Sequence, residues 1–372
     1  MVEITPVRSP RDLDEFLRLP WSLYRDDSNW VPPLLAGERK TLDPARNPFW
    51  RHAEAEHFLA RREGRVAGRL SAIVNRAHND YHREKTGFFG WFESDPAPDI
   101  APALFSSAEA WLRDRGMDRV LGPANPSTND PSGLLVDGFE WPPFPLMNHN
   151  PRHYAAFVEA AGYRKAMDLY AYLILHTDVE REKIDRIAKR VRDSARVTLR
   201  TVDLRRFEAE LALIMEIYND AWEKNWGFVP MTTDEIRFAA DDLKSIVLPE
   251  LVYFAEVGGE PAGFALALPN INVALKKCNG SLWPLGWFHF LKFRLRRIPT
   301  IRVVALGIKK KFQSLGIGTL FYQRYFNQHM ERGYVAAEMS WILESNEAMN
   351  RPLQMMGGKR YKTYRMYEKA LR

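Results

Sequence analysis

Gln313-Ser314-Leu315-Gly316-Ile317-Gly318-Thr319 directly follows an apolar run that ends in Leu306-Gly307-Ile308. A turn of this composition aims several backbone N–H groups at one point. Gly316 and Gly318 carry no side chain, so a bulky anion can reach the main chain there. A helix expected over 320–330 adds the positive end of its dipole. Together these groups make a cradle for a pyrophosphate, bordered by the strand end at 306–308. The three-glycine dinucleotide fingerprint is absent, and no Gly-Lys-Ser/Thr follows as in nucleotide phosphate loops.

Further polar residues stand where they can serve a reaction beside that cradle. Glu338 and Ser340 alternate on a strand expected over 334–340, so both face one side. Glu344 comes at its end and Asn346 just after, a position that equally suits a helix N-cap. In the first half of the chain, the loop 122–150 gathers Asn129, Asp130, Asn148 and His149, residues that also build turns and caps. The nine histidines are scattered and Cys278 is the one cysteine, so no metal-ligand spacing and no disulfide framework exist.

Gln313-x-x-Gly316-x-Gly318 after a strand resembles motif A of the GNAT superfamily, the acyl-CoA-dependent N-acyltransferases. Glu344-Ser345-Asn346, Gly357 and the tyrosines 361, 364 and 367 resemble its motif B region. The resemblance implies that residues 306–308 and 313–319, with Asn346 on the pantetheine, hold coenzyme A. Acyl-CoA is then a co-substrate, with no prosthetic group. Amide formation needs a base for the amine, a donor for the oxyanion and an acid for the thiolate. The oxyanion donor is expected at Gly307 or Ile308. Glu344 and Glu338 are the first choices for the base, with His149 as the alternative. The family's usual acid, a tyrosine on the motif B helix, is missing from Asn350–Met356. Tyr361 or Tyr364 substitutes for it, or the thiolate leaves unprotonated.

The elements that position these residues occur twice. Gly64-Arg-Val-Ala-Gly and Gly259-Glu-Pro-Ala-Gly lie 195 positions apart, as do Gly162 and Gly357. Two copies of one α/β (α+β) fold follow, each a mixed, mostly antiparallel sheet flanked by helices. The expected domains are 1–175 and 197–372, joined by a linker helix over 176–196. The first copy replaces the cradle by Glu93-Ser94-Asp95-Pro96, an acidic turn that repels a pyrophosphate. Only the second copy is expected to bind the cofactor.

The second copy also carries an insertion at about 271–298. Trp283, Trp287, Phe290 and neighbouring apolar residues stand there among Lys276, Lys277, Lys292, Arg294, Arg296 and Arg297, with no acid over 274–297. Tryptophans and cations together suit an anionic membrane surface. A lid packed on the first domain is the plainer reading. The net charge of +6 is compatible with any acidic partner, but nucleic acid is not expected. No run of 18 apolar residues exists and the first residues read as a strand, so a cytoplasmic protein peripheral to the inner face of the membrane is expected.

Asn29-Trp30-Val31-Pro32-Pro33-Leu34, Gly122-Pro123-Ala124-Asn125-Pro126-Ser127, Leu135-Val136-Asp137-Gly138-Phe139 and Glu338-Met339-Ser340-Trp341-Ile342-Leu343-Glu344 resemble the bacterial ceramide synthase family across nearly the whole chain. That resemblance implies transfer of a fatty acyl group to the amine of a sphingoid base, a lipid amine acceptor. Asn129, Asp130, Asn148, Trp283, Trp287 and Phe290 are then the substrate-contacting residues. A small-amine acetyltransferase, a tRNA-dependent aminoacyl transferase and a non-catalytic acyl-CoA sensor are the alternatives.

Overall fold

A computed structural model describes residues 2–295 and 298–371, and within them every side chain except those of residues 195, 293–295, 329 and 330. Arg294 (as a side chain), Arg296 and Arg297 of the insertion lie outside the described residues. The chain forms two compact units. The first holds residues 1–169, 275–287 and 362–372, and the second holds 170–274 and 288–361. The boundaries read from sequence, 1–175 and 197–372, do not anticipate that the last strand falls with the first unit.

In the first unit, β1 (Val2–Pro6), β2 (Ala53–Arg62), β3 (Arg65–Asn75) and β4 (Thr86–Ser94) run antiparallel in that order. β5 (Arg119–Gly122) then lies parallel to β4. Residues 367–370 pair antiparallel with β5, and 363–365 with β6 (Leu134–Asp137). The helices are α1 (Pro10–Leu23), α2 (Leu35–Leu42), α3 (Arg76–His82), α4 (Ile100–Asp114) and α5 (His153–Ala160). A parallel pair needs a crossover, and α4 supplies it. Its buried Ile100, Leu104, Phe105, Ala108 and Leu112 recur at helical spacing and form the core against the sheet. Ser9 caps α1 in a reciprocal box with Asp12. β7 (Arg164–Leu175) closes the half.

The second unit repeats this order. β8 (Val197–Thr201), β9 (Val252–Val257), β10 (Glu260–Pro269) and β11 (Thr300–Ile308) are antiparallel, and β12 (Ala336–Leu343) is parallel to β11. The repeated glycines adopt the same left-handed conformation, φ 88° at Gly162 and 84° at Gly357. The segment 176–196, expected as a linker, contains α6 (Arg181–Ala195), whose Ile184, Ala188 and Val191 are part of this unit's core. α7 (Phe207–Trp222) and α8 (Thr233–Leu243) precede β9. α9 (Asn272–Cys278) and α10 (Gly286–Leu295) form the insertion. α11 (Gly318–Arg332) is the β11–β12 crossover. α12 (Glu347–Met355) leads to β13 (Lys359–Ala370).

Candidate active site

The site lies in the second unit where β11 and β12 part. Their parallel pairing runs from Thr300↔Ala336 to Val303↔Met339 and stops. Both strands continue, to Ile308 and Leu343, without pairing to each other. A bulge on β11 accompanies the separation. Leu266 pairs with Ala305 and Ala267 with Val303, which leaves Val304 without a partner residue on β10. A cavity opens in the gap. Val303–Leu306 of β11 and Met339–Leu343 of β12 line it, with Trp222, Asn225, Tyr322, Asn346 and Met349 around them.

The expected oxyanion donors stand just outside the cavity lining. Gly307 and Ile308 are paired with Phe264 and Gly263 and do not line the cavity. The ladder is broken at Val304, which has no register partner on β10, while Ala305 and Leu306 stay paired with Leu266 and Ala265 and line the cavity with it. Gly307 has another role. A Cβ there would stand 2.2 Å from the Trp222 ring, so its absence lets that indole reach the cavity wall.

The cradle follows β11. A short 3-10 helix, Lys310–Leu315, ends at Gly316, whose φ is +73°. That conformation is natural for glycine and strained for most other residues. Gln313 donates its side-chain N–H to the Ile308 carbonyl at 3.1 Å and so folds the loop back on the strand end. Ser314 is exposed, Leu315 is half-buried, and Ile317 is fully buried in the core, so at these positions the backbone is what a ligand meets. The Thr319 and Leu320 amides close turns on the Gly316 and Ile317 carbonyls. The amides of 316–318 therefore stand at the mouth of α11, the end where N–H groups lack helical partners. The nearby lysines are neutralised: Lys309 lies 2.6 Å from Glu216, Lys310 pairs with Glu223 and Lys311 with Glu260.

The predicted catalytic residues separate. Ser340 lines the cavity, and its buried hydroxyl has no hydrogen-bond partner among the described residues. Glu338 does not line it. This carboxylate is fully buried 3.3 Å from the equally buried Arg302, its register partner on β11. Arg302 also donates to the Ser340 carbonyl at 3.3 Å and lies over the Trp341 ring. A buried carboxylate held by a guanidinium is a structural pair and a poor base. Glu344 is half-buried just past Leu343, the last cavity residue of β12. Asn346 caps α12 by accepting from the Met349 N–H at 3.2 Å and lines the cavity as well.

The remaining residues named from sequence lie in the first unit, apart from Phe290 and Tyr361. Tyr364 donates to the Asn148 carbonyl at 3.0 Å. Asn148 holds the Gly133 carbonyl at 2.9 Å, and Asp130 accepts from Ser127 at 2.6 Å. The Asn129 N–H donates to the Ser127 hydroxyl, so these groups build the loop itself. His149 differs. Its Nε2 lies 2.7 Å from Asp27, while its buried Nδ1 has no partner among the described residues. Burial pulls this imidazole below the ordinary histidine value, and Asp27 pulls the other way without cancelling it.

β4 and β5 pair from Thr86↔Arg119 to Phe88↔Leu121. Beyond that pair, the loop after β5 fills the space. The Trp91 N–H donates to Asn125 Oδ1 at 2.6 Å, and a Cβ at Gly90 would stand 2.0 Å from the Ala124 carbonyl oxygen. The acidic turn is also built in. Glu93 accepts from Tyr24 at 2.7 Å and Tyr154 at 2.8 Å.

Two structural features were missed in the sequence. Tyr322 lines the cavity one turn into α11, and Trp222 reaches it over Gly307. The distance of Tyr322 from Gly318 was a readable signal for the first. Nothing local marks the second.

The comparisons with known proteins agree with this geometry. The chain is 40% identical over 376 residues to a protein named bacterial ceramide synthase from Caulobacter vibrioides, covering 100% of this chain and 98% of that one. The chain belongs to the bacterial ceramide synthase family. It is an N-acyltransferase of tandem GNAT fold. A second family relative, protein YghO from Escherichia coli K12, is 37% identical over 367 residues, 97% of this chain and 93% of its own. Among solved structures, a tandem GNAT protein from the clavulanic acid biosynthesis pathway superposes with a TM-score of 0.58 at 12% identity, covering 100% of this chain and 99% of that one. A GCN5-related N-acetyltransferase from Sphaerobacter thermophilus gives 0.56 at 14%, covering 100% and 96%. No family model matches the chain.

Proposed function

We propose that this N-acyltransferase moves a long-chain acyl group from acyl-CoA to the amine of a sphingoid base at an anionic membrane surface. The donor reading rests on the cradle at 313–319 and the gap between β11 and β12. The diphosphate meets the amides of 316–318 and the positive end of α11. The pantetheine passes into the gap along Asn346, and the thioester carbonyl meets main-chain N–H groups at 304–306. Glu344 takes a proton from the acceptor amine at the cavity mouth, and the Ser340 hydroxyl hydrogen-bonds the reacting centre. Amine attack on the carbonyl carbon forms the C–N bond. Collapse breaks the C–S bond and releases the thiolate.

The observation that carries the lipid reading is the exposure of the insertion. Trp283 is 80% exposed, Leu285 71%, Phe288 54% and Trp287 50%, beside exposed Lys276, Lys277 and Lys292. A lid packed on protein would bury these rings. The base of the segment is fixed instead. The Gly280 carbonyl accepts from the Leu35 N–H at 3.0 Å, and Asn279 accepts from the Trp21 indole at 3.0 Å. Lys276 holds the Ser28 carbonyl. A pinned base with an apolar, cationic tip suits insertion at a bilayer interface. Among the described residues no helix is long and apolar enough to cross a membrane. The relative's name supports the acceptor. Mass spectrometry of product from long-chain acyl-CoA and a panel of amines, with and without anionic vesicles, tests the reading. N-acylated sphingoid base, formed faster on vesicles, is expected. Exclusive acylation of small polar amines would overturn it.

A further inference from the structure

We propose that the Tyr322 hydroxyl protonates the departing coenzyme A thiolate. This rests on the acyl-transfer reading of the gap between β11 and β12, and it supplies the acid that Asn350–Met356 lack. In the overall step the amine loses one proton to a base, the C–S electron pair stays on sulfur, and the thiolate takes the Tyr322 proton. Solvent re-protonates the phenolate, so amide and free thiol are the products.

Three observations support the assignment. Among the described residues, Tyr322 and Ser340 are the two hydroxyl-bearing ones that line the cavity, and a phenol is much the stronger acid. The Tyr322 hydroxyl is buried and meets one partner among the described residues, the Met349 sulfur at 3.6 Å. A thioether is a weak acceptor, so the proton is held in place without being consumed. Tyr322 also lies four residues after Gly318 on the helix whose first amides form the cradle. One rigid element therefore fixes the distance from diphosphate to acid, about 6 Å along the axis. Burial raises the phenol above its ordinary value, which keeps the proton in place at neutral pH. The tyrosines named from sequence do not compete. Tyr364 donates to Asn148, and neither it nor Tyr361 lines the cavity.

The test compares wild type with Tyr322→Phe, using the primary amine that wild type acylates fastest. Each enzyme is given acyl-CoA and an S-aryl thioester of the same acyl group, whose thiolate leaves without a proton. The expected loss in kcat is about 100-fold with acyl-CoA and less than about threefold with the aryl donor. Coenzyme A affinity and melting temperature are expected to stay unchanged. A kcat within about twofold of wild type on acyl-CoA overturns the proposal. So does an equal loss on both donors, or a rise in KM alone, which marks a packing role. Exclusive wild-type acylation of small polar amines would refute the acceptor assignment and leave the Tyr322 ratio decisive. No thiol release by wild type with any amine would overturn both.

Discussion

A buried hydroxyl without a partner costs stability, and Ser340 keeps one in the cavity wall. Its removal separates function from folding. Ser340→Ala is expected to hold or raise the melting temperature while kcat falls about tenfold. A thermal melt and a thiol-release assay check both, and a lower melting temperature with full activity would remove Ser340 from the site. The acids divide in the opposite way. Glu338→Gln strands the buried Arg302 charge and is expected to cost about 3–5 kcal/mol of stability. Glu344→Gln is expected to leave the urea midpoint in place and lower kcat about 100-fold. Should His149→Gln produce that kinetic loss instead, the base is the Asp27-paired imidazole. Alternation along β12 suggested Glu338 and Ser340 together, yet only Ser340 lines the cavity. It could not show that Arg302 claims the carboxylate, because the pair depends on strand register and not on spacing within β12.

At the scale of elements, the cradle was the most legible feature, because glycine leaves a mark wherever a backbone must bend left or approach a ligand. Gly316 does the first at φ +73°. Gly316→Ala is expected to strain the loop by about 1 kcal/mol and raise KM for acyl-CoA several-fold, with kcat less affected. The bulge at Val304 left no such mark. It shows only in the register of two strands, and the cavity beside it is lined by 303–306 rather than by 307–308. The insertion was legible as apolar and cationic, but its exposure was not. Trp283→Ser with Trp287→Ser is expected to weaken binding to anionic vesicles by about 10–100-fold, as read by vesicle sedimentation. Unchanged sedimentation would return the segment to a lid.

Across the whole molecule, duplication sets the architecture and divergence sets the function. The 195-position offset predicted two like folds, and both units show four antiparallel strands followed by a parallel fifth. It did not predict that residues 362–372 fall with the first unit, since a strand's partner is chosen by non-local contacts. A half-buried and a buried histidine, His57 and His78, are expected to give the fold a pH dependence. His57 and His78 are both pushed down to about 4, chiefly by burial. Between pH 6.5 and 4 the unfolded chain binds protons that the folded chain refuses. Stability present above pH 6.5 is therefore lost as pH falls through this window, at most about 3 kcal/mol per histidine. Urea denaturation at pH 7.5 and 4.5 checks this, and equal midpoints would contradict it. The central claim is that one unit holds the cofactor and the other has its gap filled by Asn125 and Ala124. Isothermal titration of coenzyme A into the intact chain tests it most directly. One site per chain, abolished by Gly316→Val with Gly318→Val, is the expected result. Two sites, or one that survives that double substitution, would contradict the account.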